Sequence, residues 1–418
     1  MTPLRKLLAT LGPGFLLAGA AIGVSHLVQA TRAGADYGFA LWWVLLFACL
    51  TKYPFLEFGP RYAAATGETL LVGYRKLGRF PFALFLAITF GTMFIILAAV
   101  TIVTAGLAEQ LFQQGISSFA WSMIILGSCM VLLLLGRYRV LDLAMKIIVS
   151  VLALGTFLAV LLALQAGSAV EVIQAPTPSY WTAAGIAFVI ALAGWMPIPL
   201  DAAVWHSIWV KEKSALQGEP PSLKGALFDF NAGYFIAASL GFLFFLLGAL
   251  VMFGNAETFS PNSVAFSGQL ADLYAQTLGS WSRPLVIIAA FIAMFSTTLA
   301  VTDAYPRVVS HIFATTKLTS SDKPSPRVYN YTLLIVPIIS LVILRSLTGS
   351  FTLLVDLAAG LSFVSAPILA YFNYRLVTAP EMPPEARPSR TYQLFAQLSL
   401  VLLTLFALTY LVWRFVFA

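Results

Sequence analysis

Apolar runs of helix length fill most of this chain. They span about 14–32, 38–61, 82–112, 119–136, 140–166, 182–209, 225–253, 284–314, 328–347, 351–374 and 393–416. A bilayer core of ~30 Å needs ~20 residues of helix, so each run is long enough to cross a membrane. Because 60% of the 418 residues are hydrophobic and only 10% are charged, a water-soluble fold could not bury the apolar surface. The sequence therefore predicts an all-α integral membrane protein with eleven transmembrane helices.

The basic residues predict the orientation of these spans. Of the 24 Lys and Arg residues, all but five lie in segments on one predicted side of the membrane. The positive-inside rule makes that side cytoplasmic. We therefore expect a plasma (inner) membrane protein with a cytoplasmic N-terminus and an external C-terminus. The five exceptions are Lys52, which lies within a span, and Arg32, Arg283, Arg345 and Arg414.

The first and sixth apolar runs are both interrupted. The first breaks near Gly23-Val24-Ser25, with His26 just beyond the break. The sixth contains AGWMPIPLD at 193–201, in which two prolines remove helix donors and clash with the preceding turn. A break survives in lipid only where it is buried in protein or lines a cavity. Broken helices at mid-depth are how many secondary transporters build their substrate site.

The interrupted spans are five apart, which predicts an inverted repeat of five plus five helices. The first repeat would cover residues 1–166 and the second residues 167–377. Residues 378–418 would then hold a connector and an extra eleventh span. The connector, Thr378–Arg390, has the sequence TAPEMPPEARPSR, and its prolines predict an irregular conformation.

The two breaks supply the candidate substrate-binding residues: Gly23, Val24, Ser25 and His26 from the first span, and Ala193, Trp195, Met196 and Asp201 from the sixth. Asp201 would begin the resumed half of the sixth span. It could cap that half-helix, or it could face His26 as a carboxylate in the cavity. The protonation of His26 would then respond to what occupies the cavity.

Span eight carries the candidate ion-coupling residues Thr298, Thr302 and Asp303, to which His26 is added. Their oxygens at helical spacing suit a monovalent cation or a proton path, so coupling to H⁺ or Na⁺ is possible. Alternatively, the hydroxyls bond back to carbonyls of their own helix. Glu57 and Arg61 have the i,i+4 spacing of a structural ion pair.

Several classes of function are disfavoured by missing motifs. The sequence lacks GxxxxGK[ST] and HExxH, and no GxSxG occurs in an apolar run, so we expect neither an ATP motor nor an enzyme. The basic residues lie in short clusters between apolar runs, which argues against nucleic acid. The expected partners are the lipid bilayer and a small solute or ion. No cofactor or obligatory protein partner is expected.

Several segments resemble the Nramp family of divalent-metal transporters. They are GPGFLLA and RAGADYGFALWWVLL within 12–46, RYAAATGETL at 61–70, AGWMP at 193–197, LFDFNAGYFIAASL at 227–240, and LADLYAQTLGSW with FSTTLAVTDAY within 270–305. Their order and spacing carry the likeness over most of the chain. The resemblance implies the leucine-transporter fold and transport by alternating access between two inverted repeats.

The chain departs from the family pattern at the residues that hold metal. The family's Asp-Pro-Gly-Asn motif falls on Gly23-Val24-Ser25-His26, so its metal-binding aspartate is replaced by Gly23. The sixth-span Ala-x-x-Met motif is preserved as Ala193 and Met196. The third-span acidic pair tied to proton movement falls on Leu97 and Val100.

Because the usual carboxylate is missing, we expect a small polar or carboxylate-bearing solute rather than a typical transition-metal ion. In the alternative, the chain carries a divalent cation of the Mn, Fe or Mg type on a rearranged site of Asp201, His26 and Met196. A sensor that binds ligand without transporting it stays open as a third possibility.

Overall fold

The computed structural model describes residues 12–135, 153–165, 172–173, 176–218, 222–254, 259–316, 324–346 and 351–416, and within these ranges it contains helices and no strand. The first half holds α1 (Pro13–Ala21), a π-helical segment (Ser25–Ala30), α2 (Thr31–Tyr37), α3 (Trp42–Thr66), α4 (Leu70–Leu77), α5 (Arg79–Phe112), α6 (Ser118–Leu134) and α7 (Ala153–Gln165). The second half holds α8 (Ala183–Trp195), α9 (Ala202–Gln217), α10 (Leu223–Val251), α11 (Ser263–Leu278), α12 (Ser282–Thr316), α13 (Pro326–Ser346), α14 (Phe351–Val377) and α15 (Arg390–Val416).

Six of the described helices, α5, α10 and α12 to α15, are long and apolar enough to cross a membrane. The bent first span makes a seventh if its two halves are counted together. Helices α6, α7 and α8 are apolar but shorter, and α3 carries Lys52 and Glu57 among its buried residues. The predicted run 140–166 lies partly outside the described residues. The count of eleven spans therefore stays a prediction, while the all-helical class is confirmed.

Both predicted breaks are present. In the first span, α1 ends at Ala21 and helix resumes at Ser25, with the two parts inclined by 43°. In the sixth span, α8 ends at Trp195 and α9 begins at Ala202, so the prolines at 197 and 199 lie in the gap between two half-helices. Glycine and proline thus act as the sequence indicates.

Helix α10 packs closely along the first span because three of its glycines leave room for backbone. A Cβ on Gly233 would lie 2.0 Å from the carbonyl oxygen of Gly14, and one on Gly248 would lie 2.2 Å from that of Thr31. Between them, a Cβ on Gly241 would lie 1.8 Å from Cε of Met196. We call Gly233, Gly241 and Gly248 the glycine stripe of α10. This stripe holds both halves of the first span and the sixth-span break against one helix.

Asp229 of α10 caps the N-terminus of α1. Its carboxylate accepts hydrogen bonds from the backbone N–H groups of Gly12, at 2.9 Å, and Gly14, at 2.7 Å. The first N–H groups of a helix have no intrahelical partner, and Gly12 has no side chain with which to supply one. A carboxylate from a distant helix therefore fixes where the first span begins.

Two further expectations concern single elements. The Glu57–Arg61 pair is confirmed, with Arg61 donating to both carboxylate oxygens. The connector contains a short 3₁₀ helix, Pro384–Ala386, and is otherwise irregular up to α15. Helix α11 has no counterpart among the predicted runs, although Asn262 marks its start by accepting from the N–H groups of Val264 and Ala265.

Candidate substrate site between the broken helices

The two breaks meet through Ser25. Its hydroxyl lies 3.2 Å from the carbonyl oxygen of Pro197, 2.8 Å from that of Ala21 and 2.7 Å from Nδ1 of His26. Ser25 is the first residue of the resumed first span, and Pro197 lies in the sixth-span gap. One buried hydroxyl therefore joins the interrupted backbones of both spans.

Both ring nitrogens of His26 have partners. Nε2 lies 2.8 Å from the carbonyl oxygen of Ala237 in α10, and because a carbonyl only accepts, Nε2 must carry a proton. In the neutral ring Nδ1 then accepts from the Ser25 hydroxyl. His26 is fully buried. The ring is turned toward α10, so it is not brought face to face with Asp201 as one hypothesis expected.

Asp201 lies immediately before α9, but its side chain makes no capping hydrogen bond there. Its Oδ1 is buried without a hydrogen-bond partner. The carboxylate interacts electrostatically with Lys52, Tyr74 and Tyr305. The predicted capping bond is therefore not observed, and the side chain instead interacts with Lys52, Tyr74 and Tyr305.

A small cavity of about 30 Å³ lies between the breaks. This volume is large enough for two or three water molecules, each of which needs roughly 10–15 Å³ on the same measure. Ser25 and Thr297 contribute the hydroxyl groups, and no acidic or basic residue is among the described lining residues. The full lining is Ala20, Ala21, Val24, Ser25, Ile96, Val100, Trp195, Ile198, Pro199, Trp205, Thr297 and Val301.

Thr297 of α12 occupies the space beside Gly23. A Cβ on Gly23 would lie 2.7 Å from Cγ2 and 2.9 Å from Oγ1 of Thr297, distances that side chains essentially never adopt. A larger side chain at this position therefore requires Thr297 to move. Of the two residues onto which the family resemblance places the third-span acids, Val100 lines the cavity and Leu97 is buried in the same helix, α5.

The predicted sixth-span residues point in several directions. Trp195 lines the cavity, and its Nε1 donates to Ser362 of α14 at 3.0 Å. The methyl end of Met196 fills the notch left by Gly241 in the glycine stripe. Ala193 is buried within α8. Val24, Ser25 and Trp195 are thus the predicted residues that line the cavity. The other five are not among its lining residues: Gly23, His26, Ala193, Met196 and Asp201.

Lys52 of α3 is a residue of the site that sequence reasoning missed. It is fully buried, and its Nζ donates to the carbonyl oxygens of Gly194 and Ile198, each at 3.1 Å. Gly194 belongs to the last turn of α8, and Ile198 lies in the gap. The sequence shows a lysine within an otherwise apolar run, but it does not indicate which carbonyls that lysine contacts.

The candidate coupling residues of α12 all have partners within the protein. Thr298 donates to the carbonyl of Met294 at 2.9 Å and lies 2.7 Å from the Thr104 hydroxyl, while Thr302 donates to the carbonyl of Thr298 at 2.7 Å. Both threonines therefore bond back to their own helix. Asp303 accepts from Arg307 and Tyr329.

The alternative metal ligands do not converge. The side chain of Met196 contacts Gly241 of α10. Both ring nitrogens of His26 are hydrogen-bonded, to Ser25 and Ala237. Asp201 interacts with Lys52 and two tyrosines. Across the described ranges, no group of three or more His, Cys, Asp and Glu side chains is placed to hold a metal ion. A metal would have to rearrange at least two of these side chains.

An apolar helical bundle with two broken helices that meet at a small cavity has the architecture of secondary transporters of the leucine-transporter type. Solved structures agree. A mutant of the Eremococcus coleocola manganese transporter has a TM-score of 0.74 at 15% identity, covering 100% of this chain and 89% of that one. MhsT in complex with L-phenylalanine has a TM-score of 0.65 at 14% identity, covering 94% and 98%. Identities this low establish the fold alone.

The family follows from the sequence match. The model for natural resistance-associated macrophage protein-like (Nramp) proteins matches residues 14–413, so the chain belongs to the Nramp family. An uncharacterized protein of Pasteurella multocida (strain Pm70) is 34% identical over 375 residues, which cover 89% of this chain and 86% of that protein. The resemblance seen in the sequence is therefore confirmed. Membership of a transporter family is also consistent with the expectation that the chain is not an enzyme.

Proposed function

We propose that this protein carries a small polar or carboxylate-bearing solute by alternating access, rather than a bare transition-metal ion. The contact between Gly23 and Thr297 is the observation that supports this most directly. The family resemblance assigns the metal-binding aspartate to position 23, and the atoms of Thr297 lie under 3 Å from where a Cβ would be. A carboxylate at that position would require Thr297 to move.

The lining of the cavity supports the same conclusion. A divalent ion that enters a low-dielectric site loses hydration worth far more than neutral ligands readily restore. The described lining offers two hydroxyls among apolar side chains and no carboxylate. The Nζ of Lys52 donates to the carbonyl oxygen of Ile198, so this oxygen is not free to coordinate a cation.

A solute with a polar end and an apolar body matches the chemistry of these groups better, and the cavity would have to widen beyond about 30 Å³ to admit it. The resumed first span begins at Ser25, which lines the cavity, and the positive end of its helix dipole favours a carboxylate or another acceptor. Trp195, Trp205 and Ile96 supply apolar walls. In this proposal Ser25 and Thr297 orient the polar end, and His26 holds Ser25 in place.

A divalent metal is the second candidate, because Oδ1 of Asp201 is buried and without a partner. The fold is also shared with a manganese transporter. In this version Asp201, with His26 and Met196 turned toward it, would replace the missing aspartate. It requires a rearrangement that breaks the His26–Ala237 contact and moves Met196 out of the glycine stripe.

Uptake by purified protein in liposomes separates the two candidates. We expect accumulation of one or more small carboxylates or amino acids from a panel, and no Mn²⁺ uptake at micromolar concentration. Ser25→Ala should reduce solute uptake at least tenfold, whereas Ser128→Ala, which lies on an exposed face of α6, should not. Mn²⁺ uptake that Asp201→Asn abolishes and Asp272→Asn leaves intact would overturn the proposal in favour of the metal.

We also propose the two inverted repeats, residues 1–166 and 167–377, with the N-terminus in the cytoplasm. Both native cysteines, Cys49 and Cys129, are buried, so added cysteines can be labelled over a low background. Glu385→Cys in the connector should react only from the cytoplasmic side, and Ser280→Cys only from outside. The reverse pattern would invert the orientation.

A further inference from the structure

The ammonium of Lys52, in α3, bridges two backbone carbonyls across the sixth-span break. It is the partner of the Gly194 carbonyl, which belongs to the end of α8, and of the Ile198 carbonyl, which belongs to the unwound segment. Carbonyls at the end of a helix lack intrahelical partners. The lysine therefore satisfies backbone oxygens that only the break has exposed.

Four other carbonyls along the gap face uncharged groups. The carbonyl oxygen of Pro197 lies 3.2 Å from the Ser25 hydroxyl, while those of Pro199, Leu200 and Asp201 accept from the N–H groups of Ala202, Ala203 and Val204. Gly194 and Ile198 are thus the carbonyls of the gap that are held by a charged group, and that group is tethered to a neighbouring helix.

In broken-helix transporters, unwound carbonyls and the C-terminal ends of half-helices are the groups that coordinate a coupling cation. Here such a pair of carbonyls is bound by a primary ammonium with no exposed surface. The Asp201 carboxylate lies within electrostatic reach of the same ammonium and favours its charged form. The two carbonyls thus resemble the ligands of a cation site, and the Lys52 ammonium takes the place of the cation.

We propose that Lys52 serves as a built-in monovalent cation at the sixth-span break, so that the break holds its shape without a bound Na⁺ or K⁺. The consequence is that no alkali ion is needed at this position for the folded, closed site. This inference is independent of which substrate the cavity takes, because it concerns the integrity of the break.

Thermal unfolding of the detergent-purified protein tests the proposal without any substrate. At constant ionic strength, the unfolding midpoint of the unchanged protein should be the same in NaCl, KCl and choline chloride. Lys52→Ala should unfold several degrees lower in choline chloride, because two buried carbonyls lose their donor. Ethylammonium or Na⁺ should raise the midpoint of this variant in a concentration-dependent manner, since the vacated space binds a free cation.

Lys52→Met is the matched control, because it fills the same space without a donor. It should be destabilised like the alanine variant and should gain nothing from ethylammonium. Specific stabilisation of the unchanged protein by Na⁺ would overturn the proposal, and that measurement needs no variant. So would a Lys52→Met protein as stable as the original, or a Lys52→Ala protein that responds to no cation.

Discussion

The hydroxyl of Thr297 donates to the carbonyl oxygen of Gly19 at 2.9 Å. In an unbroken helix this carbonyl would accept from the N–H of Gly23, four residues on. The Gly23 N–H instead lies 2.7 Å from the carbonyl of Ala21. Thr297 therefore takes over a backbone bond that the break has freed, and the same side chain fills the space beside Gly23. One residue of α12 stabilises the bend and restricts what position 23 can be.

This relationship predicts a coupled pair of substitutions. Gly23→Ala should lower the free energy of unfolding by about 1–3 kcal/mol, because the new methyl group overpacks against Thr297. In the Thr297→Ala background the same change should cost much less. Thermal unfolding of the two single variants and the double variant measures the interaction. Gly127→Ala, which meets open space, is the control, and equal effects of Gly23→Ala in both backgrounds would contradict the prediction.

The same geometry predicts how metal binding could be introduced. Gly23→Asp combined with Thr297→Ala places a carboxylate beside the cavity and removes the methyl and hydroxyl groups in its way. We expect Mn²⁺ binding by calorimetry at least tenfold tighter than that of the unchanged protein. Gly23→Asp alone should bind less metal and unfold earlier. Equal Mn²⁺ binding by the unchanged protein would argue that the metal is the natural substrate.

Gly241 in the glycine stripe should tolerate no side chain. Gly241→Ala would place a Cβ against the methyl group of Met196 and within 3.5 Å of the site of His26 Cδ2. We expect a loss of about 1–3 kcal/mol in the free energy of unfolding, together with a fall in solute uptake. A second change, Met196→Ala, should recover stability. Failure of this recovery would show that backbone contacts, rather than Met196, set the limit.

The cap on the first span predicts a graded effect at Asp229. Asp229→Ala removes the acceptor of two backbone bonds, and bonds to a charged group contribute roughly 1.5–3 kcal/mol each. Asp229→Asn keeps one oxygen and should cost about half as much. Thermal unfolding ranks the two variants, with Asp272→Asn as a control at a partly exposed ion pair. An asparagine variant as unstable as the alanine variant would indicate that charge outweighs the bonds themselves.

Local rules were enough to locate the two breaks. Proline in the sixth span and the glycine at 23 in the first disrupt helices through their own backbone chemistry, and the apolar runs around them fix the helices within a few residues. The alternative that Thr298 and Thr302 bond back to their own carbonyls is likewise local. Such features depend on residues four or fewer positions apart, which is why the sequence reveals them.

The contacts of the site are of another kind. Lys52 contacts carbonyls more than 140 positions away, at a separation of 142 for Gly194, and His26 contacts Ala237 at a separation of 211. Backbone carbonyls are present at every residue, so no sequence pattern indicates which of them a distant side chain will contact. The direction of Asp201, toward Lys52 and Tyr305 rather than His26, depends on the same tertiary arrangement.

The glycine stripe of α10 bears on how such a molecule can move. Backbone pressed directly against backbone leaves no flexible side chains to absorb a change of tilt, and separating the two would open voids whose walls lose their dispersion contacts. Both half-helices of the first span should therefore move together with α10 as one rigid body. Relative motion that opens the site would then occur between the first span and α12, which meet where Thr297 contacts Gly23.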